Sequence, residues 1–355
     1  MGSAIPQGEL GEIVRDARSR TGVPAAAAAL SVDGAVELAA DGDCTPETPF
    51  RVASVSKWFT ASLVSACGEL DDEARRLLSH TAGFRPQVAE PLPEACQGLW
   101  SYANPGFWAA GERCATVTGM PFADAMRELV LRPLDLAATS YEEPPGAAQG
   151  HVQEGETGHR PAGSPPCPVS RYPSSGLWST VGDLVRFGTH QFGDPYGVQD
   201  PQAEALGAEY CLGCWRRELA GGRVAFDHEG SVGGFQSLVL IVPAERLALA
   251  VLTNSWRGSG LIRRVLKGLG LVPASNTVLQ SSAGPIEPGR YALDGVSAAV
   301  RRGWIVERET DPITGAEVQR KYRVSCDAVL MTHRTDFPRP GVARIGWVAM
   351  PRTDT

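Results

Sequence analysis

Lysine is scarce in this chain: only three of its 33 basic residues are lysine, at positions 57, 267 and 321, and the rest are arginine. An ammonium gives up its proton when buried, whereas a guanidinium does not, so each lysine invites inspection. Lys57 lies three positions after Ser54 in Ser54-Val55-Ser56-Lys57. Three apart on a helix, the two share one face with Cβ atoms ~5–6 Å apart. A desolvated lysine can accept the serine's proton, and a serine at a helix N-terminus also feels the positive end of the dipole. With 24 serines and 3 lysines in 355 residues, chance predicts roughly 0.2 such pairs.

Two further groups carry potential chemistry. In Tyr102-Ala103-Asn104, an extended backbone points the phenol and the amide the same way. A phenol beside an ammonium is held nearer its ionised form and can act as base or relay. The amide can hold a substrate carbonyl and the lysine together. Taken alone, this triplet reads equally as loop. The segment His228-Glu229-Gly230-Ser231, at the end of a predicted strand, is followed by Val232-Gly233-Gly234. Glycine there lets a substrate backbone approach and offers N–H groups to a carbonyl oxygen, although a simple turn also accounts for it.

Periodicity supplies the elements that must position these residues. Helices are expected over 8–20, 54–68, 106–120, 122–131, 180–192 and 258–270. Strands are expected over 24–32, 35–40, 209–218, 222–228, 235–242 and 246–253, with a hairpin at Asp33-Gly34. Residues 143–175, rich in Pro, Gly and Ser, read as one long surface loop. Strands at both ends and helices between them predict an α+β fold, an antiparallel sheet assembled from both chain ends with a helical lobe inserted. The expected division is an α/β lobe of 5–57 and 206–272, a helical lobe of 58–205, a linker of 273–285 and a small antiparallel β module of 286–352.

In this order, the three groups resemble the motifs of the serine β-lactamase and penicillin-binding-protein superfamily, in particular its class C-like branch. Thr48-Pro49-Phe50-Arg51-Val52-Ala53, Leu77-Leu78-Ser79-His80-Thr81-Ala82-Gly83, Leu131-Arg132-Pro133-Leu134 and Gly176-Leu177-Trp178-Ser179-Thr180 resemble further landmarks of that family. The resemblance implies Ser54 as nucleophile, Lys57 and Tyr102 as the groups sharing its proton, Asn104 as substrate-orienting, and the N–H groups of Ser54 and Ser231 as an oxyanion hole. His228 and Gly230 fill a His-x-Gly third motif, where β-lactamases usually carry lysine. Relatives with histidine there resemble esterases, D-amino-acid amidases or peptidases, and transacylases. Cys211 and Cys214 fall where relatives read as a packed strand. The stretch between Lys57 and Leu77 is shorter than in relatives, and residues 286–352 resemble a shortened lipocalin-like tail.

The expected activity is therefore acyl transfer from an ester or amide to water or an amine, with no metal and no organic cofactor. Small-molecule or peptide-like substrates are the expected partners, and a role in natural-product biosynthesis is expected. The alternatives are a plain esterase or D-amino-acid amidase, a peptide-cyclising thioesterase of the penicillin-binding-protein type, or an inactive binding module. A net charge of −7 gives no basic field for nucleic acid or anionic lipid. The first twenty residues lack the features of a secretory signal, no apolar run reaches ~18 residues, and a cytoplasmic location is expected. The eight cysteines are scattered, and a lone Cys-x-x-Cys lacks the second pair that a zinc site needs. His80 is expected to hold a loop. His151, His159, His190 and His333 have no metal-ligand spacing.

Overall fold

The computed structural model describes residues 8–154, 158–163, 165–205 and 208–274, and the backbone of eight strands between 289 and 351. Helix α1 (Leu10–Thr21) precedes the hairpin of β1 (Ala25–Val32) and β2 (Ala35–Gly42). Short strand β3 (Phe50–Arg51) leads to α2 (Ser56–Ala66), α3 (Asp72–Leu78), α4 (Asn104–Thr118) and α5 (Phe122–Met126). Then come β4 (His151–Glu154), β5 (Gly158–Pro161), α6 (Tyr172–Ser175), β6 (Trp178–Ser179) and α7 (Val181–His190). The chain returns through β7 (Ala203–Ala205), β8 (Ala208–Tyr210), β9 (Trp215–Leu219), β10 (Arg223–Val232), β11 (Phe235–Val242) and β12 (Leu247–Thr253), and α8 (Gly258–Gly268) follows.

Eight of these strands form one antiparallel sheet in the order β2-β1-β12-β11-β10-β9-β8-β7. The N-terminal hairpin is thus sewn onto the last strand of the body, as the sequence predicts. Period-two alternation divides the sheet's side chains between two cores. Ala25, Ala27 and Ala29 of β1, with Val239 and Ile241 of β11 and Ala248 and Ala250 of β12, pack with the core of α2, α4 and α7. Their alternates Ala26, Ala28, Leu238, Leu240, Leu247 and Leu249 pack with Leu10 and Val14 of α1 and Leu261 and Val265 of α8. Strands covered on both faces are apolar throughout, which is why β1 reads as an alanine run rather than an alternation. Asp33 and Gly34 both have positive φ (50° and 85°), and the left-handed pair turns β1 into β2 in two residues.

Four elements differ from the sequence expectation. Helix 54–68 begins as a 3-10 turn over Ala53–Val55 and becomes α-helical at Ser56. Helix 122–131 changes after Met126 into a single wide turn, Arg127–Leu131, in which Arg132 N–H reaches back five residues to the Arg127 carbonyl. The segment 209–218 is two short strands joined by the turn Cys211–Cys214, closed by Cys211 N–H to the Cys214 carbonyl at 2.8 Å. Gly213, at φ 76°, sits so close to the Lys57 carbonyl that a Cβ would lie 2.6 Å from it, so the turn folds onto α2 instead of continuing the strand. The stretch 143–175 contains the β4–β5 hairpin and α6, because His151 joins the body through its N–H to the Asn254 carbonyl at 3.0 Å.

Beyond residue 274 the described strands are β13 (Gly289–Leu293), β14 (Val296–Arg301), β15 (Trp304–Thr310), β16 (Glu317–Ser325), β17 (Ala328–Val329), β18 (Thr335–Arg339), β19 (Val342–Ile345) and β20 (Val348–Pro351). They pair antiparallel, β13 to β17 in one sheet and β18 to β20 in another. The backbone of β20 lies against the short turn Glu94–Cys96, in the segment that leads to Tyr102. The predicted linker falls, from residue 275 onward, outside the described residues. No helix among the described residues is long and apolar enough to cross a membrane.

Leu249 is fully buried at the centre of the sheet, paired with Leu30 and Leu240, whereas Leu38 on edge strand β2 is 46% exposed. Leu249→Ala is expected to cost about 2–5 kcal/mol. Leu38→Ala is expected to stay within about 0.5 kcal/mol. Urea midpoints at constant m-value measure both.

Candidate active site

Ser54 lies in the 3-10 turn that opens α2, and the residue before it is strained. Ala53 has φ 47°, a left-handed conformation that costs a non-glycine residue roughly 1–2 kcal/mol. The flanking backbone holds it there: Val52 N–H donates to the Leu177 carbonyl at 3.0 Å, and Val55 N–H to the Val52 carbonyl at 3.2 Å. Strand β10 presses on the same turn. A Cβ on Gly230 would lie 2.2 Å from the Val52 carbonyl oxygen and 2.3 Å from Ser237 Oγ. Ser237 Oγ itself donates to the Val52 carbonyl at 2.8 Å. Gly230 therefore permits β10 to lie flush against the approach to Ser54.

Lys57 is fully buried one helical turn on. Its Nζ lies 3.2 Å from Ser54 Oγ and donates to the Ser174 carbonyl at 2.8 Å. The faces of Tyr102 and Phe107 cover it at 4.7 and 5.4 Å. Burial drives the amine well below the ordinary lysine range, toward a neutral group with a lone pair facing the serine hydroxyl. The ring contacts favour the cation, but desolvation outweighs them.

Tyr102 corrects the sequence expectation of a phenol held near its ionised form. Burial pushes the phenol upward, and the hydrogen bond to Ser54 offsets that only in part. The neutral phenol can relay a proton, while Lys57 is the group with a basic lone pair. Asn104, the first residue of α4, is held by its N–H to the Pro86 carbonyl at 2.9 Å. Its Nδ2 donates to Gln87 Oε1 at 3.0 Å, and its buried Oδ1 has no partner among the described residues. Asn104 thus stands beside Gln87, a residue that sequence reasoning missed because nothing in its loop marks it.

His228 is buried, and its ring faces inward: Nε2 lies 3.3 Å from Tyr210 Oη and Nδ1 lies 2.6 Å from the Glu229 carbonyl. Tyr210 Oη also lies 3.1 Å from His80 Nε2. Burial, with Lys57 and His228 nearby, drives His80 well below the usual imidazole range. His80 touches the rings of Trp100, Tyr102, Phe107 and Tyr210, so it holds more than a loop. Tyr210 was not singled out in the sequence, where it reads as one more apolar strand residue.

The direction of Ser231 N–H follows from strand pairing. The two-residue turn Gly233-Gly234 makes Val232 and Phe235 a hydrogen-bonded pair, so 230 with 237 and 228 with 239 are hydrogen-bonded pairs as well. Ser231 belongs to the alternate set, whose N–H groups point away from β11. Strand β9 pairs with β10 only as far as Asp227, so the Ser231 N–H leaves the sheet at an unpaired edge. The Ser54 N–H lies in the 3-10 turn at the start of α2, where the first amides of a helix have no intrahelical partner.

Of the tryptophans, Trp58 and Trp178 are core, while Trp100 joins Tyr210 and Trp215 in an aromatic cluster beside His80. His151 and His159 lie with Asn254 and Ser255. Cys211 and Cys214 are free thiols. Among the described residues no group of three or more His, Cys, Asp or Glu side chains is arranged to hold a metal ion.

A family model described as Beta-lactamase matches residues 74–270, more than half of the chain. The protein belongs to this family, within the β-lactamase/transpeptidase-like superfamily of serine hydrolases and acyltransferases. The matched range contains Tyr102, Asn104 and His228 and begins after Lys57. The chain is 26% identical over 313 residues to penicillin-binding protein 4 of Amycolatopsis lactamdurans, covering 67% of this chain and 82% of the relative. It is 28% identical over 211 residues to a β-lactamase of Lysobacter lactamgenus, covering 46% and 54%. Among solved structures, SurE superposes with TM-score 0.71 at 22% identity, covering 97% of this chain and 98% of that one. A class C β-lactamase from Rhodobacter sphaeroides superposes with TM-score 0.65 at 18% identity, covering 74% and 98%.

Three tests follow from the geometry. Lys57→Arg keeps the charge but not the lone pair, so it is expected to slow fluorophosphonate labelling as much as Lys57→Ala does, by ~10²–10⁴-fold. The same lysine links stability to pH. The unfolded chain holds this proton up to the ordinary lysine value of about 10.4. The folded chain releases it at lower pH, so unfolding takes up a proton and stability rises with pH between the two values. Lys57→Met should remove that rise in urea midpoints measured as pH increases toward the ordinary lysine value. Separately, Gly230→Ala is expected to cost about 1–3 kcal/mol. By displacing the Ser54 turn, it should also slow labelling on the order of 10²-fold.

Proposed function

We propose that the protein is a serine acyl-transfer enzyme that works through an acyl-Ser54 intermediate, with a His-x-Gly third motif at His228, Gly230 and Ser231. The observation that carries this reading is the fully buried Lys57 amine 3.2 Å from Ser54 Oγ. Ser54 Oγ attacks the carbonyl carbon of an ester or amide, and its proton passes to Lys57 Nζ. The tetrahedral oxyanion accepts hydrogen bonds from the N–H groups of Ser54 and Ser231. As the C–O or C–N bond breaks, the leaving group takes the proton through the neutral phenol of Tyr102. Water or an amine then attacks the acyl-enzyme, its proton returning by the same route. The Oδ1 acceptor of Asn104, beside Gln87, orients a substrate N–H. These steps close without a metal or organic cofactor.

Peptide-like donors with a D-configured residue are the substrates this reading favours. One structural neighbour is SurE solved with D-Leu, and another is a D-stereospecific amidohydrolase from Streptomyces sp.. Transfer to an amine, as in a biosynthetic release or tailoring step, is supported by the approach of β20 to the Glu94–Cys96 turn. A strand beside the segment carrying Gln87 and Tyr102 can limit water at the acyl-enzyme. The test is intact-mass detection of a single fluorophosphonate adduct and turnover of D- against L-amino-acid esters. Ser54→Ala is expected to abolish both the adduct and turnover with an unchanged urea midpoint. Residual turnover above about a tenth of wild type would overturn the nucleophile assignment.

A further inference from the structure

One backbone amide determines where every proton sits along the buried row His80–Tyr210–His228. Both backbone atoms of Ala103 lie 3.1 Å from His80 Nδ1. The Ala103 carbonyl, at the N-cap of α4, keeps a second lone pair beside the first helical bond, so the N–H of the same residue decides the tautomer. The Ala103 N–H is buried, and a buried amide must donate. His80 Nδ1 is therefore an acceptor, and the ring's proton is on Nε2. That Nε2–H donates to Tyr210 Oη at 3.1 Å, which leaves the phenol's own proton for His228 Nε2 at 3.3 Å. His228 Nδ1, 2.6 Å from the Glu229 carbonyl oxygen, carries the ring's remaining proton.

We propose that Tyr210 is a positioning residue that keeps His228 uncharged as the Nδ1–H tautomer, so that the third motif selects acyl donors bearing no carboxylate at that position. This rests on the acyl-enzyme reading above and adds a substrate class to it. Charging His228 would need Tyr210 to accept rather than donate. Tyr210 would then have to donate to His80 Nε2, and His80 would have to move its proton to Nδ1, against the Ala103 N–H. Ala103, between Tyr102 and Asn104, thereby ties the second motif to the protonation of the third. The titratable and charged groups facing the row are Lys57 from α2, Tyr102 before α4, Cys211 and Cys214 from the β8–β9 turn, and Asp227 of β10, which is paired to Arg217 of β9; the Glu229 side chain is exposed.

The test uses the full chain with ¹⁵N-labelled imidazoles, His228 being assigned through His228→Gln. In the wild type at pH 7, His228 is expected to show an unprotonated Nε2 and a protonated Nδ1. A protonated Nε2 would overturn the proposal without any variant. In Tyr210→Phe, loss of the donor should raise the His228 midpoint by about one pH unit or more. It should also raise the preference for a carboxylate-bearing ester over its methyl ester at pH 6 but not at pH 8. A midpoint and a preference both unmoved would equally overturn it. Fluorophosphonate labelling of the same samples separates the two readings. Absent labelling removes the acyl-enzyme proposal, while the nitrogen shifts still decide the state of His228.

Discussion

An amine taken out of water beside a serine hydroxyl is the constraint around which this molecule is arranged. Desolvating Lys57 is unfavourable for its cation, and several elements are needed to maintain it. The rings of Tyr102 and Phe107 lie over the amine, the Ser174 carbonyl accepts from it, and the Cys211–Cys214 turn packs on the backbone of the same residue. These walls come from the helices, from the α6 region and from the sheet. Helix α2 is the shared axis, and both cores of the sheet support the strands that press on its start.

Burial acts on three different groups with one outcome. It lowers the lysine and His80 and raises the tyrosine, so in each the neutral form is favoured over the charged one. In the proposed reaction the N–H groups of Ser54 and Ser231 and the phenol of Tyr102 are dipoles that meet charge as it develops. Hydrogen bonds within the protein fix those dipoles, and the strain at Ala53 fixes the turn from which the serine projects.

The parts legible in the sequence were those decided locally. Ser54 and Lys57 share a face because helical geometry alone brings them together, and Asp33-Gly34 and Gly233-Gly234 announce their hairpins by the conformations they permit. Doubly covered strands were visible as apolar runs. What was not legible depends on partners far along the chain. Tyr210 meets His80 across 130 positions, and Gln87 meets Asn104 through a loop whose composition is unremarkable. The state of Tyr102 was misread because a neighbouring amine was considered without the burial that both groups share. The Cys211–Cys214 segment was misread because its apolar pattern is that of a strand, while Gly213 turns it onto α2.

The closure of the sheet has a consequence for how the molecule comes into being. Ala25 N–H donates to Asn254 Oδ1 across 229 positions, and β1 is flanked by β2 on one side and by β12 on the other. Contacts this distant raise the contact order and slow folding. During synthesis the hairpin emerges first and waits, one long side of an alanine-rich strand uncovered, for a partner made some two hundred residues later. Ser54 waits with it, because the turn that holds it is pinned by Gly230 and Ser237. On a ribosome the turn that carries Ser54 would lack these fixing contacts until most of the body of the chain had been translated. A nascent chain truncated short of β12 leaves one edge of β1 and the Ala25 N–H without their native partners.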